Sequence, residues 1–266
     1  MGFTYAGNLG GAGAPVIRRF QTCTDTLYNG VLVQDAIGLG GGHVQLADAA
    51  IELGDSMDLL PFGFVTGVIP ASGSNVTHTA AASGTAQYGD TRTAITTQAD
   101  VLANGGPSQV DVCYIIPMVT MVRAPIYNAA WGTALTELTV TTASTTGLVV
   151  THAGDTPTDI ADHYATVYCR SGANRGQYRV VTTPAAGSQT CLIAFQNDIA
   201  VGDVFVVCSM RLGPMHWNIP ATADCIDGNH ALADSFDGFC HELNLEESGK
   251  EYCVFSLIVG KHRYTS

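Results

Sequence analysis

The final third of the chain gathers side chains able to ligate a metal: Cys208, His216, Cys225, His230, Cys240 and His241. A protein zinc site draws its ligands in pairs spaced two to four residues apart on either side of a loop. None of these residues forms such a pair, so they read as scattered core thiols and loop histidines. The loop DCIDGNHALADSFDG holds Asp224, Asp227, Asp234 and Asp237, oxygens enough for calcium. It lacks the alternating Asp/Asn spacing of an EF-hand loop and reads as an acidic, solvated loop. Nucleophilic chemistry has no better start: there is no G-x-S-x-G elbow, no P-loop and no H-E-x-x-H. The glycine strings at Gly10–Gly13 and Gly38–Gly42 open no helix, which excludes a dinucleotide fingerprint. Glu246 and Glu247 would serve glycoside chemistry only with another carboxylate about five to ten Å away, and they read as a turn-adjacent charged pair. Asn75, Val76 and Thr77 spell a glycosylation sequon, incidental without a secretory leader. No catalytic residue, metal or cofactor is assigned.

Composition points the same way. Of 266 residues, 46% are hydrophobic and only 13% are charged, about half the usual charged share. That excludes a disordered tail or a coiled-coil rod. At roughly 150 residues per domain the length suits two domains, or one large β domain carrying an insertion. Glycine at 30 residues, with abundant Thr and Val, favours strands joined by tight turns. Lys+Arg 11 against Asp+Glu 23 leaves a net charge of −12. Such a chain is repelled by nucleic-acid phosphates and by anionic membranes, so neither is an expected partner. The start MGFTYAGNLGGAGAPV has neither the positive end nor the apolar core of a signal peptide, and a cytoplasmic site of synthesis is expected. The most apolar run, Tyr114 to Val122, is about half a membrane span and contains Pro117. Eight cysteines lie largely inside apolar runs with no CxxC, so free buried thiols are expected.

The elements follow from the pattern. Residues 1–15 form a Gly/Ala arm with two aromatics, Phe3 and Tyr5, expected to be mobile or to lie against another surface. Residues 16–70 read as a small β module of short strands, with a helical turn conceivable at Ala47–Glu52. Residues 71–106 read as a long polar loop followed by a short helix near Thr97–Leu102. Residues 110–123 read as one extended run in which Pro117 marks an edge or a bulge. From 132 to 210, strands recur about every ten residues with turns between them, including LTVTT, HYATVYCR, QYRVVTT, TCLIAF and DVFVVCSM. The last strand, KEYCVFSLIVGKHRY at 250–264, resembles Val110–Val122 in length and character. Pairing of the two would make 132–210 an inserted domain within a central β domain of 71–131 plus 211–266. The expected fold class is mainly β: a small N-terminal barrel or tulip-like module, and a larger antiparallel sandwich or barrel with an inserted β domain.

A chain with so few charges must cover its exterior with Thr, Ser, Gly and Ala, or bury it against copies of itself or a partner. Phe3 and Tyr5 on the arm, with Arg18, Arg19 and Phe20 just beyond it, are the expected contact residues. For the arginines, an exposed pair on an edge strand is the competing reading. SGANRGQYRVVTT with IAVGDVFVV, and MVRAPIYNAAWGTALTELTVTTASTTGLVVT, resemble segments of virion structural proteins of tailed bacteriophages. TLYNGVLVQDA, HVQLADAA and PFGFVTGV are similar to the small β modules with which head decoration proteins grip a capsid. The resemblance implies a non-enzymatic protein on the outer capsid surface of a virion. It further implies a trimer or other ring, with the major capsid protein and its own copies as partners. A tail-tube or fibre protein is the alternative. A third reading, from a different class, is a carbohydrate-binding β-sandwich with Trp131, Trp217, Tyr164 and Tyr168 as its platform.

Overall fold

The structure is a computed structural model that describes residues 2–11, 13–22, 27–35, 43–47, 61–69, 76–79, 92–95, 109–153, 165–229 and 236–258. Strands and turns make up these residues, and none of their segments is a helix long and apolar enough to cross a membrane. The chain enters as an edge strand, β1 (Thr4–Asn8). A first barrel is built from β2 (Ile17–Thr22), β3 (Leu32–Asp35), β4 (His43–Leu46) and β5 (Gly63–Ile69). A two-stranded ribbon of β6 (Val76–Thr79) and β7 (Arg92–Ile95) intervenes before β8 (Gln109–Tyr114) closes that barrel in the order β2-β4-β3-β5-β8. All its pairs are antiparallel except β2 with β4.

Next, β9 (Thr120–Tyr127) enters a central sheet. A second barrel follows, from β10 (Glu137–Thr142), β11 (Val149–His152), β12 (Thr166–Cys169), β13 (Tyr178–Ala185), β14 (Ser188–Cys191) and β15 (Val204–Cys208). It closes in the order β10-β11-β14-β13-β12-β15 and is antiparallel throughout. The chain then returns through β16 (Gly213–Trp217), the short β17 (Ile226–Asp227) beside β9, β18 (Phe236–Asn244) and β19 (Tyr252–Leu257). The central sheet runs β1-β9-β19-β18-β16. The protein is therefore mainly β, with two closed barrels flanking an antiparallel sheet, and the second barrel interrupts the chain between β9 and β16.

Period-two alternation explains how the three bodies share a core. On β8, Val110 and Val112 point into the first barrel, while Cys113 points outward and joins Phe3, Val122, Trp217 and Phe255. On β15, Phe205 and Val207 fill the second barrel, while Val206 and Cys208 face the central sheet. A strand buried on both faces needs apolar residues at every position, as in VFVVC of β15, whereas the β8 run VDVCYI is broken by half-buried Asp111, which pairs with Arg19. At the second barrel's SGANRG turn, Gly172 has φ 84° and leaves no room for a side chain: a Cβ there would stand 2.0 Å from Asp203 Oδ1. Buried Asn174 ties this turn down, donating to Asn197 O at 3.0 Å and accepting from Asn197 N–H at 2.9 Å.

Several expectations need correction. The run 110–122 is two strands. Pro117 and Met118, the latter at φ 57°, turn the chain between β8, which stays in the first barrel, and β9, which pairs with β19 from Phe255↔Val122 to Tyr252↔Pro125. Residues 109–114 thus belong to the N-terminal barrel and not to a central domain. TCLIAF forms a strand only to Cys191, after which Leu192 and Ile193 leave the sheet. The expected loop 71–106 contains the paired β6–β7 ribbon. The helical turn beyond Ala47 and the helix near Thr97–Leu102 lie outside the described residues.

His152, at the end of β11, sits buried beside Gln189, with 3.3 Å between Nε2 of each side chain. Burial pushes its imidazole below the ordinary 6.5, and a backbone hydrogen bond at Ala153 only partly opposes that. The unfolded chain therefore takes up this proton first as the solution is acidified. Stability from His152 is complete above about pH 6.5 and is lost as pH falls through the folded-state value. His152→Gln should flatten the decline of melting temperature between pH 7 and pH 5. Parallel curves for variant and wild type would remove His152 from the acid response.

Candidate assembly surface

The five residues expected to make contacts do not behave as a group. Phe3 is only 1% exposed, with its ring centroid 6.5 Å from Trp217 and 6.4 Å from Phe255. Its N–H donates to Gly30 O at 2.8 Å. Gly2 allows this approach, because a Cβ there would stand 2.1 Å from the same oxygen. Tyr5 donates its hydroxyl to Gly13 O at 3.0 Å, and Thr4–Asn8 pairs with β9. The N-terminal segment is thus an edge strand pinned by a core aromatic. Phe20 also turns inward, 5.4 Å from Phe62 and 6.0 Å from Tyr114. Arg18 and Arg19 are exposed on β2, and Arg19 makes two bonds to Asp111, at 2.9 and 3.3 Å.

Exposed apolar residues stand beside those arginines in sequence and after β8. Val16, Ile17, Ile116, Met118 and Val119 are all exposed, Met118 by 48%. Tyr114 N–H donates to Val16 O at 2.9 Å, which sets the start of β2 beside the end of β8. From there Ile116 N–H donates to Thr120 Oγ1 at 3.1 Å and Thr120 N–H returns to Ile116 O at 2.9 Å, closing a tight turn. Met118 N–H donates to Leu257 O at 2.9 Å, and Val119 O accepts from Leu9 N–H at 2.8 Å. The turn is therefore held from both sides with its apolar side chains facing solvent. A left-handed, non-glycine Met118 costs about 1–3 kcal/mol, strain that points to a selected conformation. Of the expected contact residues, Arg18 and Arg19 follow Ile17 on β2 and are exposed, while Phe3 and Phe20 turn inward. The signal for the turn residues was Pro117 inside an apolar run.

The candidate chemistry disperses. Among the described residues no three of His, Cys, Asp and Glu gather as a metal site. Cys208, Cys225 and Cys240 are buried, His216 pairs with Asp237 at 3.0 Å, and His241 meets Ser256 Oγ at 2.9 Å. Asp224 accepts from Tyr28 and Thr222 hydroxyls, and Asp227 from the Ala129 and Asn229 N–H groups. These carboxylates brace loops. Seven described cysteines are buried. Burial pushes the Cys113 and Cys169 thiols up to about 11 and Cys191 to about 12, so at neutral pH they are protonated and poor nucleophiles. Exposed Glu246 pairs with Arg175, and Glu247 with Lys250. Of the expected aromatic platform, Trp131, Trp217 and Tyr168 are buried. Tyr164, His230, Asp234, Asn75, Cys23 and Gly38–Gly42 lie outside the described residues.

No protein-family model, curated protein or solved structure matches this chain.

Proposed function

We propose that the protein is a non-enzymatic virion structural protein of a tailed phage. In this reading it docks on the outer face of the capsid and against copies of itself. The observation that carries the reading is the apolar surface of Val16, Ile17, Ile116, Met118 and Val119. Exposed aliphatic side chains on a turn braced by hydrogen bonds cost solubility unless a partner covers them. The Arg19–Asp111 pair on β2 and β8 offers both signs of charge near Ile17, so a second copy of the chain finds local charge complementarity there. The net charge of −12 suits the outside of a head over a wall facing packaged DNA. The resemblance to decoration modules is a further support, and the locking of neighbours would then work by mass action alone.

Sedimentation velocity tests the self-association. The intact chain should form a defined oligomer at micromolar concentration, and the double variant Ile17→Asp with Met118→Asp should dissociate at least tenfold more readily. Both positions are exposed, so the fold should survive. A wild-type monomer at every concentration, or an unaltered oligomer in the variant, would overturn this role for the patch.

A further inference from the structure

A second surface stands apart from the first. Leu192 and Ile193, 61% and 65% exposed, leave the second barrel where β14 ends, and Leu192 N–H still donates to Val180 O at 2.8 Å. With Tyr178, Leu212, Arg179 and Arg211 they line an open groove of about 270 Å³. That space suits two or three side chains more than a whole cofactor. Arg179 is fixed before any ligand arrives. It donates Nε to Ala194 O at 2.9 Å, Nη1 to Tyr178 O at 2.8 Å and Nη2 to Gln177 Oε1 at 2.9 Å, and its guanidinium lies 4.9 Å from the Phe195 ring centre. Arg211 is held on the other wall by Nε to Pro214 O at 2.6 Å.

Two of only 11 cations in a chain of net charge −12 therefore flank one apolar groove. We infer that this groove binds an acidic, apolar peptide segment of a partner protein, with aliphatic or aromatic side chains against Leu192 and Ile193 and a carboxylate between the arginines. Both barrel edges are closed here, so the peptide cannot add as a strand and must be read through its side chains. Preorganised guanidinium groups lower the ordering cost of binding, and they explain why charge would select the partner.

Peptide-display selection against the intact protein tests this. Selected peptides should carry Asp or Glu within two residues of Leu, Ile or Phe. Their binding should fall at least tenfold in Leu192→Ser with Ile193→Ser, and roughly tenfold in Arg211→Gln, the size of one lost charge-assisted hydrogen bond. Raising salt from about 0.05 to 0.5 M should weaken it further. Both leucine-site changes are on the surface, so folding is not at stake. Peptides without an acidic signature, an empty selection, or binding indifferent to residues 192 and 193 would overturn the inference. So would a changed oligomeric state in the double serine variant, which would make the groove a contact between copies. The Ile17→Asp, Met118→Asp variant should bind selected peptides as wild type does, so failure here and failure of the assembly reading are separable.

Discussion

Arg170→Met should destabilise the protein by about 3–5 kcal/mol, the cost of leaving one partner of a buried ion pair behind. Arg170 follows β12 of the second barrel, and its side chain is 7% exposed. It donates Nε to Leu245 O at 2.9 Å and forms ion pairs with Glu137 and Glu251. The Glu251 side chain is completely buried at the start of β19, so methionine at position 170 would strand a desolvated carboxylate. Glu137 is half exposed and contributes little, because solvent screens it. The pair also joins the inserted barrel to the β18–β19 hairpin, so its loss should split unfolding into two phases. Trp131 and Trp217 both lie outside the inserted barrel, which makes tryptophan fluorescence a reporter on the central core while far-ultraviolet dichroism follows all strands. Urea transitions by the two probes should coincide in the wild type and separate in Arg170→Met. Adding Glu251→Leu should recover most of the lost stability, since an apolar pair replaces a buried ionic one at little cost. A single variant within about 1 kcal/mol of wild type would contradict this role.

Phe3→Ala should cost about 3–5 kcal/mol as well, the range for truncating a buried aromatic. The ring fills space between Trp217 and Phe255, and no neighbouring strand can collapse into it without breaking the β1–β9 pairing. The substitution should therefore lower the urea midpoint and raise protease cleavage near residues 4–13, by freeing β1 from the sheet. Removing residues 2–15 should do at least as much harm, which contrasts with the behaviour of a free arm. A Phe3→Ala protein of wild-type stability that lost only its binding to shells would restore the arm reading.

Much of the architecture was legible because the turns of the second barrel announce themselves. SGANRG and the Pro184–Gly187 turn fall where glycine or asparagine suits the backbone, and the runs between them are apolar on alternate positions. The last strand does join a strand that begins in the 110–122 run, but it pairs with Val122–Pro125 of β9 and not with the stretch whose length it matched. The first fifteen residues were not legible. Glycine and alanine have poor strand propensity, and only the tertiary pocket for Phe3 and the partner strand β9 make a strand of them. The split at Pro117 was obscured because apolar residues stand on both sides of it, VCYII before and MV after, so no polar break marks the boundary. Leu192 and Ile193 read as strand interior for the same reason: an apolar pair next to a strand carries no sign of which face it will take. Phe3 is core and half-buried Phe20 packs against the first barrel's core for a related reason, since an aromatic near a terminus looks the same in sequence whether it drapes outward or folds back.

The most direct test of the proposed docking is co-sedimentation with assembled shells of a tailed-phage major capsid protein, the partner that the proposal names. If the chain works by docking, wild type should pellet with assembled shells at a fixed ratio, and the Ile17→Asp, Met118→Asp variant should remain in the supernatant while still folded. Wild-type protein left in the supernatant beside intact shells, or a variant that pellets undiminished, would contradict it.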